Sequence, residues 1–133
     1  MQQGRAVDPF LAASRCGPFE VRELLGEGGQ ARVYRVEREG RSYALKLPRL
    51  TQLLRPGGRE RLQREARLAA RLELPGIVRL HEHGEVEGRP YLLYAYVDGQ
   101  RLEEAWQGAS LRRRVGWTRD AARAVAGAHE LGV

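Results

Sequence analysis

Hydrophobic and polar residues alternate along three consecutive segments of the first half of the chain. The alternation begins at Phe19, resumes at Val33 after a run of glycines, and returns at residues 41–47 after Gly40. A period of two is typical of strands that bury one face and expose the other. The pattern therefore predicts three antiparallel strands joined by turns.

The second half of the chain changes to helical spacing and then back to strands. The segment at residues 89–96 is almost continuously apolar, which is typical of a strand buried on both faces. The predicted elements are, in order, a loop at 51–58, a helix at about 59–72, strands at 77–83 and 89–96, and helices at about 101–106 and 110–131. We therefore expect an α+β fold with a five-stranded antiparallel sheet, one inserted helix and two helices after the sheet.

Length and composition limit the class of protein. The chain of 133 residues is long enough for a domain with a real core. Residues 1–18 show no periodicity, and we expect a flexible or loosely docked leader. No segment approaches the roughly 20 apolar residues of a membrane span, and the N-terminus has no apolar run of the signal-peptide kind. The lone Cys16 cannot form an internal disulfide, which fits a reducing compartment. We therefore predict a cytoplasmic protein.

The formal charge of +6 raises the possibility of nucleic-acid binding. Most arginines, however, are interleaved with glutamate, and only Arg112, Arg113 and Arg114 form a block. Aromatic residues do not alternate with this block, as a platform for stacked bases would require. Solvated helix faces are therefore the preferred interpretation, and no nucleic-acid partner is expected.

Of the 23 basic side chains, only Lys46 is a lysine. It ends an apolar strand behind the glycines, with Ala44 on the same face, and its compact ammonium suits phosphate. The residues after those glycines are strand-patterned, which excludes a dinucleotide-binding loop, and no lysine follows as a P-loop requires. The remaining interpretation is a glycine-rich flap that covers phosphates with its backbone amides.

Glu65 falls on the apolar stripe of the predicted helix at 59–72. A carboxylate in that position is costly unless it finds a counter-charge, and Lys46 is the obvious partner. The alternative is that Glu65 lies at the edge of the stripe and reaches water.

These pieces together resemble the N-terminal, ATP-binding lobe of a protein kinase, most similar to the bacterial serine/threonine kinases of eukaryotic type. Residues 26–33 resemble the G-x-G-x-x-G-x-V loop with alanine at the third glycine, residues 43–46 are similar to V-A-I-K, and residues 64–66 match the helix that supplies the pairing glutamate. The resemblance covers residues 19–133 and implies a lobe at 19–97 followed by the start of a C-terminal lobe at 98–133.

The resemblance also implies roles for single residues. Lys46 and Glu65 are the catalytic ion pair, Tyr94 is the gatekeeper that narrows the pocket behind adenine, and the backbone of Ala95 and Val97 hydrogen-bonds adenine. The implied ATP-binding set is Leu25, Gly26, Glu27, Gly28, Gly29, Gln30, Ala31, Val33, Ala44, Lys46, Tyr94, Ala95 and Val97.

The sequence contains neither a His-Arg-Asp nor an Asp-Phe-Gly motif. The resemblance implies ATP and Mg²⁺ as cofactors, with the Mg²⁺ ligands beyond Val133, and a chain that ends just before the catalytic loop. We therefore interpret the chain as a fragment of a kinase that phosphorylates protein serine or threonine, inactive alone, needing a C-terminal lobe and acting on an unknown protein.

Three other hypotheses remain open. The first is a short non-catalytic module that binds a nucleotide or a partner protein, which a coding frame continuing into His-Arg-Asp would exclude. The second is a small-molecule kinase related to the aminoglycoside phosphotransferases, against which the glycine-rich flap and residues 64–66 argue. The third is nucleic-acid binding through residues 112–114.

Overall fold

The computed structural model describes residues 15–132, which form a curled antiparallel sheet and four helices. The elements are β1 (Arg15–Cys16), β2 (Phe19–Glu27), β3 (Ala31–Arg38), β4 (Arg41–Pro48), α1 (Leu50–Leu53), α2 (Gly58–Ala70), β5 (Leu80–Val86), β6 (Arg89–Ala95), α3 (Leu102–Gln107) and α4 (Leu111–Glu130). The α+β class predicted from the sequence is confirmed.

The sheet has the strand order β1-β2-β3-β4-β6-β5, with every neighbouring pair antiparallel. It has six strands where five were expected, because Arg15 and Cys16 pair with the start of β2. Cys16 is fully buried, and Gly17 makes the intervening turn at φ +54°. Of the leader expected at 1–18, residues 1–14 lie outside the described part, Arg15 and Cys16 belong to the sheet, and 17–18 form the turn to β2.

The larger core lies on one face of the curled sheet, where the two sheet edges approach each other. Phe19 of β2 packs edge-on against Tyr91 of β6, with 5.3 Å between the ring centroids. A Cβ at Gly17 would meet Val86 of β5 at 2.4 Å, so only glycine fits between these edges. The buried members of this core are Cys16, Phe19, Val21, Tyr34, Val36, Tyr43, Leu45, Leu47, Val86 and Leu93.

A smaller core lies between the other face of the sheet and α2. Its buried members are Leu62, Ala66, Leu80 and Leu92, with Leu53, Ala69 and Tyr94 packed at its edge. The apolar stripe predicted for this helix is therefore confirmed. The helix α1 was not predicted, because four residues are too short to show a helical period.

Strand β5 begins and ends three residues later than predicted. Glu87 and Gly88 both have positive φ, 51° and 77°, and form a two-residue turn. Such a turn keeps its flanking strands paired up to the turn itself, so Val86 pairs directly with Arg89.

Two residues apart on a regular strand, His81 and His83 would share a face, but a register shift between Leu80 and Glu82 separates them. The extra residue turns His81 toward Tyr43, at 5.0 Å between ring centroids, while His83 lies on the α2 side of the sheet.

Helices α3 and α4 follow the sheet and pack on each other through Trp106 and Trp117, whose ring centroids are 6.4 Å apart. Ser110 caps α4 by accepting a hydrogen bond from the Arg113 amide at 3.3 Å. Within residues 15–132, none of the helices has both the length and the apolar character needed to cross a bilayer.

Candidate functional site

The register of three strands brings the candidate site residues into one patch on the α2-facing side of the sheet. Val33 of β3 pairs with Gly26 on β2 and with Lys46 on β4. Ala44, two residues before Lys46, pairs with Tyr94 on β6. Because alternate residues of a strand share a face, these side chains lie opposite the larger core. The patch combines small and apolar side chains with a single ammonium.

The expected ion pair between Lys46 and Glu65 is confirmed as a contact, with 2.8 Å between Lys46 Nζ and Glu65 Oε1. Buried Leu62 and Ala66 anchor α2 on the sheet and thereby aim Glu65 at the end of β4. The two side chains are 31% and 45% exposed, so Glu65 lies at the edge of the stripe as well as in the pair. A pair this exposed contributes at most about 1 kcal/mol to stability. The pair therefore holds the Lys46 ammonium in place while contributing little to the stability of the fold.

The glycine-rich loop (residues 26–31) closes the hairpin between β2 and β3. The Gly28 amide donates to the Ala31 carbonyl at 3.0 Å, and the Gln30 carbonyl accepts from the Arg49 amide at 2.9 Å. A Cβ at Gly29 would meet nothing within 4 Å, so the tip of the loop is open to a ligand. The loop therefore lies beside the end of β4, a short distance in sequence from Lys46.

Glu27, at the base of this loop, is held by two arginines. Its Oε1 atom accepts from Arg32 Nε at 3.1 Å and from Arg49 Nη2 at 2.9 Å. The hydrogen bond from Arg32, helped by that from Arg49, holds the pKa of the Glu27 carboxyl below its usual value against the opposing effect of desolvation. The carboxylate is thus a fixed anion that joins the loop to the end of β4.

A cavity of about 110 Å³ opens beside the ion pair. It reaches from the glycine-rich loop to the start of α2 and mixes basic, amide and apolar groups. Its lining residues are Gln30, Ala31, Lys46, Pro48, Gln52, Leu53, Arg55, Pro56, Gly58, Arg61, Leu62 and Glu65. The arrangement suits a ligand that carries an anionic group.

The segment at the end of β6 (residues 95–97) borders the other end of the patch. The Ala95 amide donates to the Arg79 carbonyl at 3.0 Å, so that amide is already engaged within the protein. Val97 lies beyond the strand and is 66% exposed. Burial raises the pKa of the Tyr94 hydroxyl, an effect that nearby Lys46 partly offsets. Tyr94 therefore stays neutral and packs behind the patch.

Two residues at the site were missed by the sequence reasoning. Arg49 donates to the Gly28 carbonyl at 2.7 Å, and Arg101 donates to the carbonyl of Leu25, which lies in a bulge of β2. No signal in the sequence distinguishes these two among so many arginines. Only the folded arrangement shows that Arg49 holds the glycine-rich loop and that Arg101 holds the strand residue just before it.

The sequence reasoning named no metal ligand within this chain. Between residues 15 and 132, no group of three or more histidine, cysteine, aspartate or glutamate side chains could hold a metal ion.

Comparison with known proteins places these features in context. The sequence profile described as the phosphotransferase enzyme family matches residues 21–133. Serine/threonine-protein kinase PknH of Mycobacterium bovis is 37% identical over 92 residues, which cover 68% of this chain and 15% of that protein. Serine/threonine-protein kinase PknE of Mycobacterium tuberculosis is 36% identical over 125 residues, covering 85% and 22%.

Solved structures give the same result. The Mycobacterium tuberculosis PknI kinase domain superposes with a TM-score of 0.71 at 28% identity, covering 90% of this chain and 51% of that domain. The chain therefore spans about half of that kinase domain and, at 15% and 22%, less than a quarter of these curated relatives. The resemblance to the N-terminal lobe of bacterial serine/threonine kinases is confirmed.

Proposed function

The chain belongs to the phosphotransferase enzyme family, and on that premise we propose that it forms the ATP-binding part of a serine/threonine protein kinase. Residues 19–97 form the nucleotide-binding lobe, and residues 98–133 begin the lobe that would carry the catalytic loop. The observation that carries the proposal is the 2.8 Å pair between Lys46 and Glu65 beside a glycine-rich loop.

The phosphates of ATP lie under the glycine-rich loop. The backbone amides of residues 27–31 cover them, and Lys46 contacts the α- and β-phosphates while Glu65 holds its ammonium in place. A compact ammonium and a row of amides match a polyanion better than they match any apolar ligand. The polar and basic lining of the neighbouring cavity supports this assignment.

The adenine ring lies on the apolar part of the patch. Leu25, Val33 and Ala44 line its faces, and Tyr94 limits the depth of the pocket. Since the Ala95 amide is engaged by Arg79, adenine uses the Ala95 carbonyl together with the Val97 amide. Selection of adenine by backbone groups tolerates Ala95, where the family usually has an acidic residue.

Chemistry requires groups that these residues do not supply. When bound, Mg²⁺ would neutralise phosphate charge in this family. Among residues 15–132, no group of three or more metal-ligating side chains could hold it. The sequence also lacks the motif that carries the catalytic base. The full chain therefore binds ATP without transferring its phosphoryl group.

Two substrate classes are compatible with the family. The profile match alone does not distinguish a protein from a small-molecule acceptor, which favours keeping a small-molecule phosphotransferase as the second candidate. The relatives at 36–37% identity are named serine/threonine-protein kinases, which favours a protein acceptor.

Calorimetry of the full chain with ATP tests the proposal. We expect saturable binding of ATP, and a loss of at least about tenfold in affinity, about 1.4 kcal/mol, for Lys46→Met. Arg41→Ala is the matched control, because Arg41 is an exposed cation at the start of the same strand, beside the β3–β4 turn. Equal binding by the two variants would refute the assignment of Lys46. Phosphorylation of a protein by the full chain would refute its inactivity.

A further inference from the structure

One arginine binds the glycine-rich loop at three points. Arg49 Nε donates to the Gly28 carbonyl at 2.7 Å, and the Arg49 amide donates to the Gln30 carbonyl at 2.9 Å. Its Nη2 donates to Glu27 Oε1 at 2.9 Å. Both carbonyls and the carboxylate at the base of the loop therefore point toward the residue that follows β4. We call this set of contacts the Arg49 clamp.

The clamp fixes the amides of the loop as well as its carbonyls. In a trans peptide the C=O and the next N–H point in opposite directions. With the Gly28 and Gln30 carbonyls turned toward Arg49, the amides of Gly29 and Ala31 must point away from it. These are two of the backbone donors that a phosphate would need.

The loop borders the cavity that lies beside Lys46. Gln30 and Ala31 line that cavity together with Lys46, whereas Arg49 is not among its lining residues. Part of the glycine-rich loop and the side chain of Lys46 therefore border the same cavity. An anion placed there would meet both.

A loop of this composition needs such a restraint. Glycines have the largest choice of backbone conformations, and Gly28 and Gly29 are both exposed. An unrestrained loop would lose that freedom each time it closed on a ligand, at the expense of affinity. The guanidinium suits the task, since one planar fork reaches a carbonyl and a carboxylate together.

We propose that Arg49 is a positioning residue, which pre-orders the glycine-rich loop so that the Gly29 and Ala31 amides face the phosphates of a bound nucleotide. The inference rests on the proposed ATP-binding function. Arg49 touches the loop and not the ligand, so its removal weakens the binding of phosphates and leaves the adenine contacts intact.

Binding of two ligands by the full chain separates this role from a general loss of structure. Arg49→Ala lowers the affinity for ATP about tenfold and that for adenosine less than about twofold, where tenfold corresponds to about 1.4 kcal/mol. The ATP affinity of Arg49→Lys lies between those of the wild type and Arg49→Ala. An ammonium still reaches the Gly28 carbonyl, but it cannot also bind Glu27 as the guanidinium does. Arg41→Ala, the matched exposed arginine, changes neither affinity.

Amide hydrogen exchange without nucleotide tests the ordering itself. The Gly28 amide, which donates to the Ala31 carbonyl within the loop, reports that order. In Arg49→Ala it exchanges at least about fivefold faster than in the wild type, as expected of a loop released to local opening. The amide of Leu45, in the centre of the sheet, keeps its protection and shows that the fold is intact. If Arg49→Ala does not unfold but leaves the exchange rate of the Gly28 amide unchanged, the clamp does not order the loop and the proposal fails.

The two proposals fail in different ways. If the wild type binds ATP and Arg49→Ala binds ATP and adenosine equally weakly, the positioning role is wrong while the ATP site stands. If the wild type binds neither ligand, the ATP site is wrong and the phosphate role of Arg49 is rejected with it. Should Arg49→Ala fail to fold, Arg49→Lys takes its place. A larger loss of affinity for ATP than for adenosine then supports the positioning role, and equal losses refute it.

Discussion

Residues 15–97 and residues 98–132 bury their apolar side chains very differently. In the first region, two clusters fill both faces of the sheet, and eight large side chains have less than 2% of their surface exposed. In the second region, neither α3 nor α4 has a buried residue. Leu111, Val115 and Val125 of α4 are 77%, 59% and 52% exposed.

The difference teaches where the free energy of this structure comes from. Burial of apolar surface is the main favourable term in folding, and the sheet with α2 has nearly all of it. The proposed ATP site lies wholly on that well-packed part, except for Arg101 at the start of α3. The patch is therefore held by its own core, whereas α4 contributes little to it.

The largest expected difference between the two regions comes from truncating one apolar side chain in each of them. Leu45→Ala empties a fully buried position of β4 and should cost about 2–5 kcal/mol of unfolding free energy. Val125→Ala removes a half-exposed side chain of α4 and should change it by less than about 0.5 kcal/mol. Urea denaturation followed by far-UV circular dichroism measures both. Similar costs would show that α4 is as well packed as the sheet.

Tryptophan and tyrosine residues allow the unfolding of the two regions to be followed separately. Both tryptophans, Trp106 and Trp117, lie in α3 and α4, while all five tyrosines lie between residues 34 and 96. We expect the tryptophan fluorescence to change at a urea concentration about 1 M below the tyrosine near-ultraviolet signal, a gap of about 1–3 kcal/mol at typical m-values. Coincident transitions would mean that the two regions unfold as one unit and would remove the contrast.

A smaller effect concerns a polar network within the sheet region. Arg38 donates twice to Glu82, at 2.6 and 3.2 Å, and Tyr91 donates to the same carboxylate at 3.1 Å. These contacts, the one from Arg38 above all, hold the pKa of the Glu82 carboxyl below its usual value. A carboxyl whose pKa is lower in the folded than in the unfolded state stabilises the fold fully at a pH above its unfolded-state pKa. That stabilisation is lost as the pH falls through its folded-state pKa.

Replacing the carboxylate tests that network. Glu82→Gln should cost about 1–3 kcal/mol at pH 7. The difference from the wild type should shrink as the pH falls below about 4.5. Glu85→Gln is the matched control on the same strand, since its pair with Arg59 is exposed and spans 3.3 Å. A pH-independent difference for Glu82→Gln would contradict the assignment.

The smallest expected effect lies in the centre of the larger core. The hydroxyl of Tyr34 is buried and has no hydrogen-bond partner among the described residues. Since a buried unpaired hydroxyl costs free energy, Tyr34→Phe should be neutral or stabilise by up to about 1 kcal/mol. A loss of more than 1 kcal/mol in urea denaturation would indicate a partner for this hydroxyl.

Much of the sheet region could be predicted because its determinants are local. Strict alternation placed Ala44 and Lys46 on one face of β4, and helical spacing placed Glu65 on the stripe of α2. A carboxylate on an apolar stripe and a lone ammonium on a strand face each need a partner, so their pairing followed from chemistry. The family resemblance then supplied the expected site around them.

Other features depend on contacts distant in sequence and could not be predicted. The strand β1 exists because Cys16 fits the core beside Val86, which lies 70 positions further along the chain. The bulge at His81 reverses the face of one residue without any change in composition. The contacts of Arg49 and Arg101 likewise require the folded positions of β2 and β4.

The central claim is that Lys46 and Glu65 act together on the phosphates of ATP, and a double-mutant cycle measures it most directly. Titration calorimetry of the full chain would compare Lys46→Met, Glu65→Gln and the double variant, with Glu60→Gln as the exposed control on α2. We predict that each single change weakens ATP binding and leaves adenosine binding unchanged, and that the double variant is no weaker than Lys46→Met. Losses that multiply in the double variant, or that affect adenosine equally, would contradict the account.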